Sequence, residues 1–348
     1  MKVLGIVVEY NPFHNGHIYH IQKAKQIVKP DYTIAVMSSS FVQRGEPAII
    51  DKWTRSHLAI EFGVDLVIEL PFVYSCQSAD YFAKGAIDLL HAIGITDLCF
   101  GSEDGHIETF IDIANAIHAH QELYDCYVKK AMKEGLRYPD ACNQALIQIM
   151  HKEVRTPNDL LGLSYVKEII SHHYQSLPIA LNVPMIIMIL TYNKSPSATS
   201  IRQAIAKHQD YQEALPHPEL YQNECYFLKD YFPYLKYRLL TTTKEELKHI
   251  HLVDEGLENT MLHAITYSHS MEEFINHLLS KRYTLPRIQR MIIHVLMNNQ
   301  KDEIKQAMNI DYLRILAMND QGRHYLSSIK KHVPIRLLLI FQSFLTLL

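Results

Sequence analysis

Cysteine is scarce and scattered in this chain. Cys76, Cys99, Cys126, Cys142 and Cys225 are odd in number and contain no C-x-x-C pair, which argues against a disulfide framework or a zinc knuckle and predicts a reduced, cytoplasmic setting. Net charge is low as well. Against 37 Asp+Glu stand 34 Lys+Arg, a formal −3, so composition carries no global nucleic-acid signal. The balance shifts along the chain, from 16 basic against 21 acidic residues up to position 198 to 18 against 16 beyond it. No apolar run is long enough to cross a bilayer: the unbroken apolar core Met185 to Leu190 is too short and suits a buried strand, and no membrane partner is expected. The N-terminus has no charged region followed by a long apolar stretch and a small-residue cleavage site, so no secretory signal is expected. Internal repeats and low-complexity tracts are absent too. At 348 residues and 48% hydrophobic, the chain has room for two domains with ordinary cores.

What is present begins at once. Val3 to Val8 is a short apolar, β-branched run, and it leads into Asn11-Pro12-Phe13-His14-Asn15-Gly16-His17 and an amphipathic segment from Ile18 to Val28. This order reads as strand, phosphate loop, helix. Gly16 would let backbone approach a phosphate, and a helix N-terminus offers unpaired N–H groups and the positive end of a dipole. His14 and His17 could then donate hydrogen bonds to a triphosphate as charge builds on it during attack at the α-phosphorus. In a chain with 21 histidines, two surface histidines in a turn are the plainer alternative.

Further strands are predicted at Thr33 to Met37, Leu66 to Pro71 and Leu98 to Glu103, alternating with helices from Asp51 through Phe62 and from Ala79 to Ile93. That alternation is the pattern of a doubly wound α/β sheet. The polar loop Ser38 to Pro47 is either a substrate lip at the carboxyl edge of the sheet or a plain connection. Lys52 and Arg55 share a helix face that either reaches an anion or is simply solvated. Gly101 is expected at the same carboxyl edge, where a base or ribose needs room. Ile107 to Met150 reads as a helical insertion or lid. Thr156 and Pro157 start a helix running to about Ile170, with Asn158 in its first turn. In Ser197-Ala198-Thr199-Ser200-Ile201-Arg202, hydroxyls open a helix and Arg202 adds charge where a cation is unfavourable unless an anion arrives.

Glu9-Tyr10-Asn11-Pro12-Phe13-His14-Asn15-Gly16-His17 resembles the signature of the HIGH superfamily of nucleotidyltransferases, and within it the bacterial tRNA(Met) cytidine acetate ligase family. The resemblance covers most of the chain. It implies a Rossmann-like doubly wound parallel sheet of HIGH nucleotidyltransferase type to about residue 206, followed by an α-helical, tRNA-binding domain from 207 to 348. It further implies an ATP-dependent ligase that makes acetyl-adenylate from acetate and passes the acetyl group to the wobble cytidine of elongator tRNA(Met). His14 and His17 would be catalytic, with Val7, Val8, Glu9, Tyr10, Asn11, Pro12, Phe13, Asn15 and Gly16 around the ATP. Gly101, Asn158, Ser200 and Arg202 would complete the nucleotide site. Mg²⁺ is expected with the triphosphate, although no carboxylate cluster identifies its ligands. Where the family carries a basic loop with an ATP-contacting Arg, this chain runs uncharged from Leu177 to Asn193. That departure, with the apolar stretch after Arg336, reads as a local change of frame and predicts weaker ATP binding.

Beyond residue 207 the pattern predicts helix after helix. Lys281, Arg282, Arg287 and Arg290 are the favoured RNA contacts, and Tyr231, Tyr234, Tyr237, Tyr283 and Tyr325 could stack on unpaired bases. Solvated faces of an ordinary helical domain are the alternative. Two other functions stay open: a small-molecule adenylyltransferase using the same His loop, and a non-catalytic RNA-binding protein that kept the fold.

Overall fold

The structure is a computed structural model that describes residues 1–182, 197–222 and 224–339. Strands β1 (Val3–Val8), β2 (Tyr32–Ser38), β3 (Leu66–Leu70), β4 (Asp97–Ser102) and β5 (Leu177–Asn182) run parallel, in the order β5-β4-β1-β2-β3. The side chains of β1 to β4 are almost all buried because helices cover both faces, as a parallel sheet requires, whereas β5 at the edge of the sheet buries only Leu181. Alternate residues serve opposite faces. Val3, Ile34, Val36, Leu66, Ile68 and Leu98 pack under the helices Ala79–Ala92, Ile107–Ala119 and Pro157–Ser171. Leu4, Ile6, Ala35, Met37, Val67 and Cys99 pack under the helices Asn15–Val28 and Lys52–Glu61. Each fully buried Leu or Ile contributes about 1.5–3 kcal/mol relative to exposure.

Two more strands complete the sheet. β6 (Tyr312–Met318) pairs antiparallel with β3, and β7 (Arg336–Leu339) pairs parallel with β6. The all-helical expectation for everything past residue 207 is therefore corrected at both segments. The reason is local chemistry: β6 contains Leu, Ala and Met, good helix formers, and Ile315 is its one β-branched residue, so pairing with β3 and not propensity decides its state. Between Leu228 and Ala307 the chain is helical and builds its own core, with Leu235, Leu239, Leu247, Phe274, Ile288 and Ile292 at its centre. The expected buried strand Met185 to Leu190 and the apolar C-terminus from Ile340 lie outside the described residues.

The solvated-face reading of Lys52 and Arg55 is corrected too. Arg55 is fully buried, and its guanidinium donates to three backbone carbonyls: Glu9 and Ser39, both at 2.6 Å, and Ile50 at 3.3 Å. Lys52 pairs with the buried Glu69 at 2.7 Å. Neither faces open solvent or an anion site. They instead hold the ends of β1, β2 and β3 in register at the carboxyl edge of the sheet.

Candidate active site

β1 hands the chain to the helix mouth through Tyr10, whose φ is +51°, and a cis Asn11–Pro12 peptide. His14 caps the helix Asn15–Val28. Its Nδ1 accepts the Gly16 N–H at 3.1 Å, while Nδ1 of His17 accepts the His14 N–H at 3.2 Å. This is a capping box made of imidazoles, with ring centroids 3.8 Å apart. Since each Nδ1 takes an N–H, the proton of each neutral ring is assigned to Nε2. Burial lowers the His14 pKa to about 4; burial, then the neighbouring His14 and His20, hold His17 well below its ordinary value. The pair is neutral at pH 7, with Nε2–H as its donor.

The loop 38–47 closes over this mouth. Glu9 accepts the Gln43 N–H at 2.7 Å and the Ser38 hydroxyl at 3.1 Å; burial raises its pKa, and those two bonds oppose the rise. Arg202, on the helix Ala198–Ala206, donates to the Asn11 carbonyl at 2.7 Å and pairs with Glu46 at 2.9 Å. The anion that its position calls for is thus supplied from within by the loop. Gly45 permits the closest approach: its φ is +77°, and a Cβ there would lie 2.2 Å from the Arg290 backbone nitrogen. So the loop rests on the helix Leu285–Leu296, and Arg290 donates to the Gln43 carbonyl at 3.0 Å.

At the far wall, Asp159 shapes the end of β4 by accepting the Ser102 hydroxyl at 2.6 Å and the Glu103 N–H at 2.9 Å. Asn158 donates to Glu103 at 2.8 Å. Thr156 is the N-cap of Pro157–Ser171, although its hydroxyl donates to Asp159 instead of accepting from backbone. Gly162 lets this helix close on β4, because a Cβ there would meet the Phe100 ring at 2.4 Å.

A cavity of 1390 Å³ joins these walls. Val7, Val8, Glu9, Tyr10 and Asn11 line it, as do His14, Gly16 and His17, and Gly101, Asn158 and Arg202 face it from the other elements. Four expected ATP contacts are not on its wall. Pro12 and Phe13 turn inward, Phe13 packing against Tyr10 and Phe62. Asn15 donates to the Glu213 carbonyl at 2.9 Å, and Ser200 is occupied with Ser197 at the start of its helix, where Ser197 and Thr199 reach the cavity. Of the expected RNA contacts, Arg282, Arg287 and Arg290 line the same cavity while Lys281 does not. Arg282 pairs with Glu255 at 2.5 Å and Arg287 with Asp254 at 3.7 Å; burial lowers Arg290 to about 10, still charged at pH 7. His20 was not anticipated. It lies three residues beyond His17 on the same helix, lines the cavity, and is held down to about 4 by burial; the i,i+3 spacing was its signal.

A parallel sheet whose first strand feeds a His-x-Gly-His helix mouth, beside a cavity walled by arginines, defines a nucleotidyltransferase of the HIGH class. The model of the HIGH Nucleotidyl Transferase family matches residues 1–345. Among curated proteins, the tRNA(Met) cytidine acetate ligases of Geobacillus sp. (strain WCH70) and Bacillus subtilis (strain 168) are 40% and 38% identical, over 97% and 99% of this chain and 88% of each relative. Among solved structures, Thermotoga maritima TmcAL bound with alpha-thio ATP superposes with a TM-score of 0.88 at 32% identity, covering 97% of this chain and 85% of that one. Its apo form gives 0.86. The chain belongs to the tRNA(Met) cytidine acetate ligase family.

Proposed function

We infer that this chain is an ATP-dependent acetate ligase acting on the wobble cytidine of elongator tRNA(Met). In the first step an acetate oxygen attacks the α-phosphorus: an O–P bond forms, the bond to pyrophosphate breaks, and acetyl-adenylate results. In the second, the cytidine N4 amine attacks the acetyl carbon, the C–O bond to AMP breaks, and N4 releases a proton. The observation that carries the reading is the neutral His14–His17 pair. Two Nε2–H donors at a helix N-terminus can strengthen their bonds to phosphate oxygens as charge gathers there, with no proton to lose or gain near pH 7. Gly101 and Asn158 would hold the nucleoside, and Arg202 the phosphates, trading part of its bond to Glu46. Magnesium would travel with the triphosphate, because among the described residues no group of three His, Cys, Asp or Glu side chains is placed to hold an ion.

The test is isotope exchange between pyrophosphate and ATP with a panel of carboxylates, followed by acetyl transfer to tRNA. Exchange that requires acetate supports the ligase. Adenylyl transfer to a small molecule with no need of acetate would favour the cofactor-forming alternative, and tRNA binding without ATP turnover would leave only an RNA-binding protein.

A further inference from the structure

The cavity continues past the nucleotide walls into a recess between four helices. Asp80 comes from the first turn of Ala79–Ala92, Tyr124 from Gln121–Lys133, Tyr138 from the start of Tyr138–Met150, and Lys167 from Pro157–Ser171; all four line the cavity. Lys167 donates to one oxygen of Asp80 at 3.1 Å, and the Tyr138 hydroxyl donates to the other at 2.8 Å. The ammonium also lies 5.9 Å from the Tyr124 ring centroid. The side chains of Asp80 and Lys167 are 33% and 24% exposed and line the cavity, while burial weighs on both charged groups and both Asp80 oxygens already accept a hydrogen bond. Burial penalises both charges, yet Lys167 holds the Asp80 pKa below its ordinary value and Asp80 raises that of Lys167, so the pair remains ionised. An ion pair so placed is weak evidence of stability, since apolar side chains of the same volume often serve as well. The adjoining Leu146, Leu160 and Leu161 show that apolar lining is available.

Resting on the ligase reading, we propose that this recess is the cytosine-binding subsite, with Asp80 and Lys167 as the residues that choose cytosine over uracil. An unstacked base is read through its Watson–Crick edge and its faces, and a carboxylate is a natural acceptor for the cytosine N4 amine. Cytosine presents that donor next to the N3 acceptor. Asp80 can only accept while ionised and Lys167 can only donate, so the side-by-side pair matches this order. Uracil presents the reverse, a carbonyl O4 where Asp80 needs a donor and an N3–H where Lys167 needs an acceptor. The exposed Tyr138 ring supplies apolar surface for a base face. The recess and the His14–His17 mouth belong to one cavity, so base and adenylate would share an enclosure.

The experiment compares tRNA transcripts carrying cytidine or uridine at the wobble position, using the wild-type chain, Asp80→Asn, and Asp80→Asn/Lys167→Met, whose recess holds no lone charge. Binding, acetyl transfer and acetate-dependent pyrophosphate exchange are all measured. Wild type should bind the cytidine transcript about 10-fold tighter or more, the scale of one good base contact. Asp80→Asn and the double variant should bring the two transcripts within about two-fold and lower the ratio of transfer to exchange by about 50-fold. Equal binding of both transcripts by wild type would overturn the proposal without requiring any variant to fold. So would discrimination that survives Asp80→Asn, or a variant that loses exchange in step with transfer. Wild type without acetate-dependent exchange would instead sink the ligase reading itself.

Discussion

The two walls of the cavity work by opposite means. At the β1 side the donors are neutral imidazoles, locked by backbone N–H bonds and kept from protonation by burial. At the helix Leu285–Leu296 side, Arg282 and Arg287 are full charges tied to Glu255 and Asp254. A neutral, preorganised donor gives little to ground-state binding and more where charge develops, whereas an exposed arginine with an acidic partner can exchange that partner for a phosphate. On this contrast we propose that chemistry belongs to one wall and RNA capture to the other.

The largest expected effect tests the first wall. His14→Ala or His17→Ala should lower acetate-dependent pyrophosphate exchange about 100-fold or more, as loss of a preorganised donor does; exchange surviving within a few-fold would break the assignment. Next comes the joint between the walls. Gly45→Ala must place a Cβ 2.2 Å from the Arg290 nitrogen at φ +77°, and should cost about 2 kcal/mol in denaturant unfolding. An unchanged midpoint would mean that loop and helix separate easily.

A smaller effect belongs to the second wall. Arg282→Ala/Arg287→Ala should weaken tRNA binding roughly 10-fold and reduce the slope of affinity against salt by about two counterions, more than it affects exchange. Equal losses in both assays would move these arginines to the nucleotide. The smallest effect is a near absence of change. Because the His14 pKa is lowered to about 4 and His17 lies well below its ordinary value, the imidazoles stay neutral from pH 8 to 6, and exchange should vary by less than about two-fold over that range. A decline centred near pH 6.5 would show the pair titrating as exposed histidines do.

Much of the first wall was legible in the sequence, because strand, turn and helix are consecutive there and each residue's environment follows from its neighbours. Apolar runs marked β1 to β4, and Thr156-Pro157 marked a helix start that the structure places at the same residue. The rest depended on folding. Asp80, Tyr124, Tyr138 and Lys167 are widely separated along the chain and share no local pattern, so their meeting exists only after four helices pack. Arg55 misled because spacing on a helix does not reveal which face is covered, and β6 misled because its Leu, Ala and Met favour the other regular structure.

The place of β6 also bears on how the chain is made. β3 has β2 on one side and β6 on the other, yet more than two hundred residues separate Leu70 from Tyr312. Until those residues have been synthesised, the outer backbone edge of β3 lacks its native partner, and an unpaired edge is a template for the wrong chain. The helical region made in that interval is stitched back at both ends before the sheet is finished, by the Tyr226 N–H on the Ile49 carbonyl at 3.0 Å and the Tyr74 hydroxyl on the Met308 carbonyl at 2.6 Å. A chain that ended anywhere between β3 and β6 would leave that flank of β3 bare, so the final strands move the edge of the sheet from a buried apolar strand out to the four-residue β7, a shorter template.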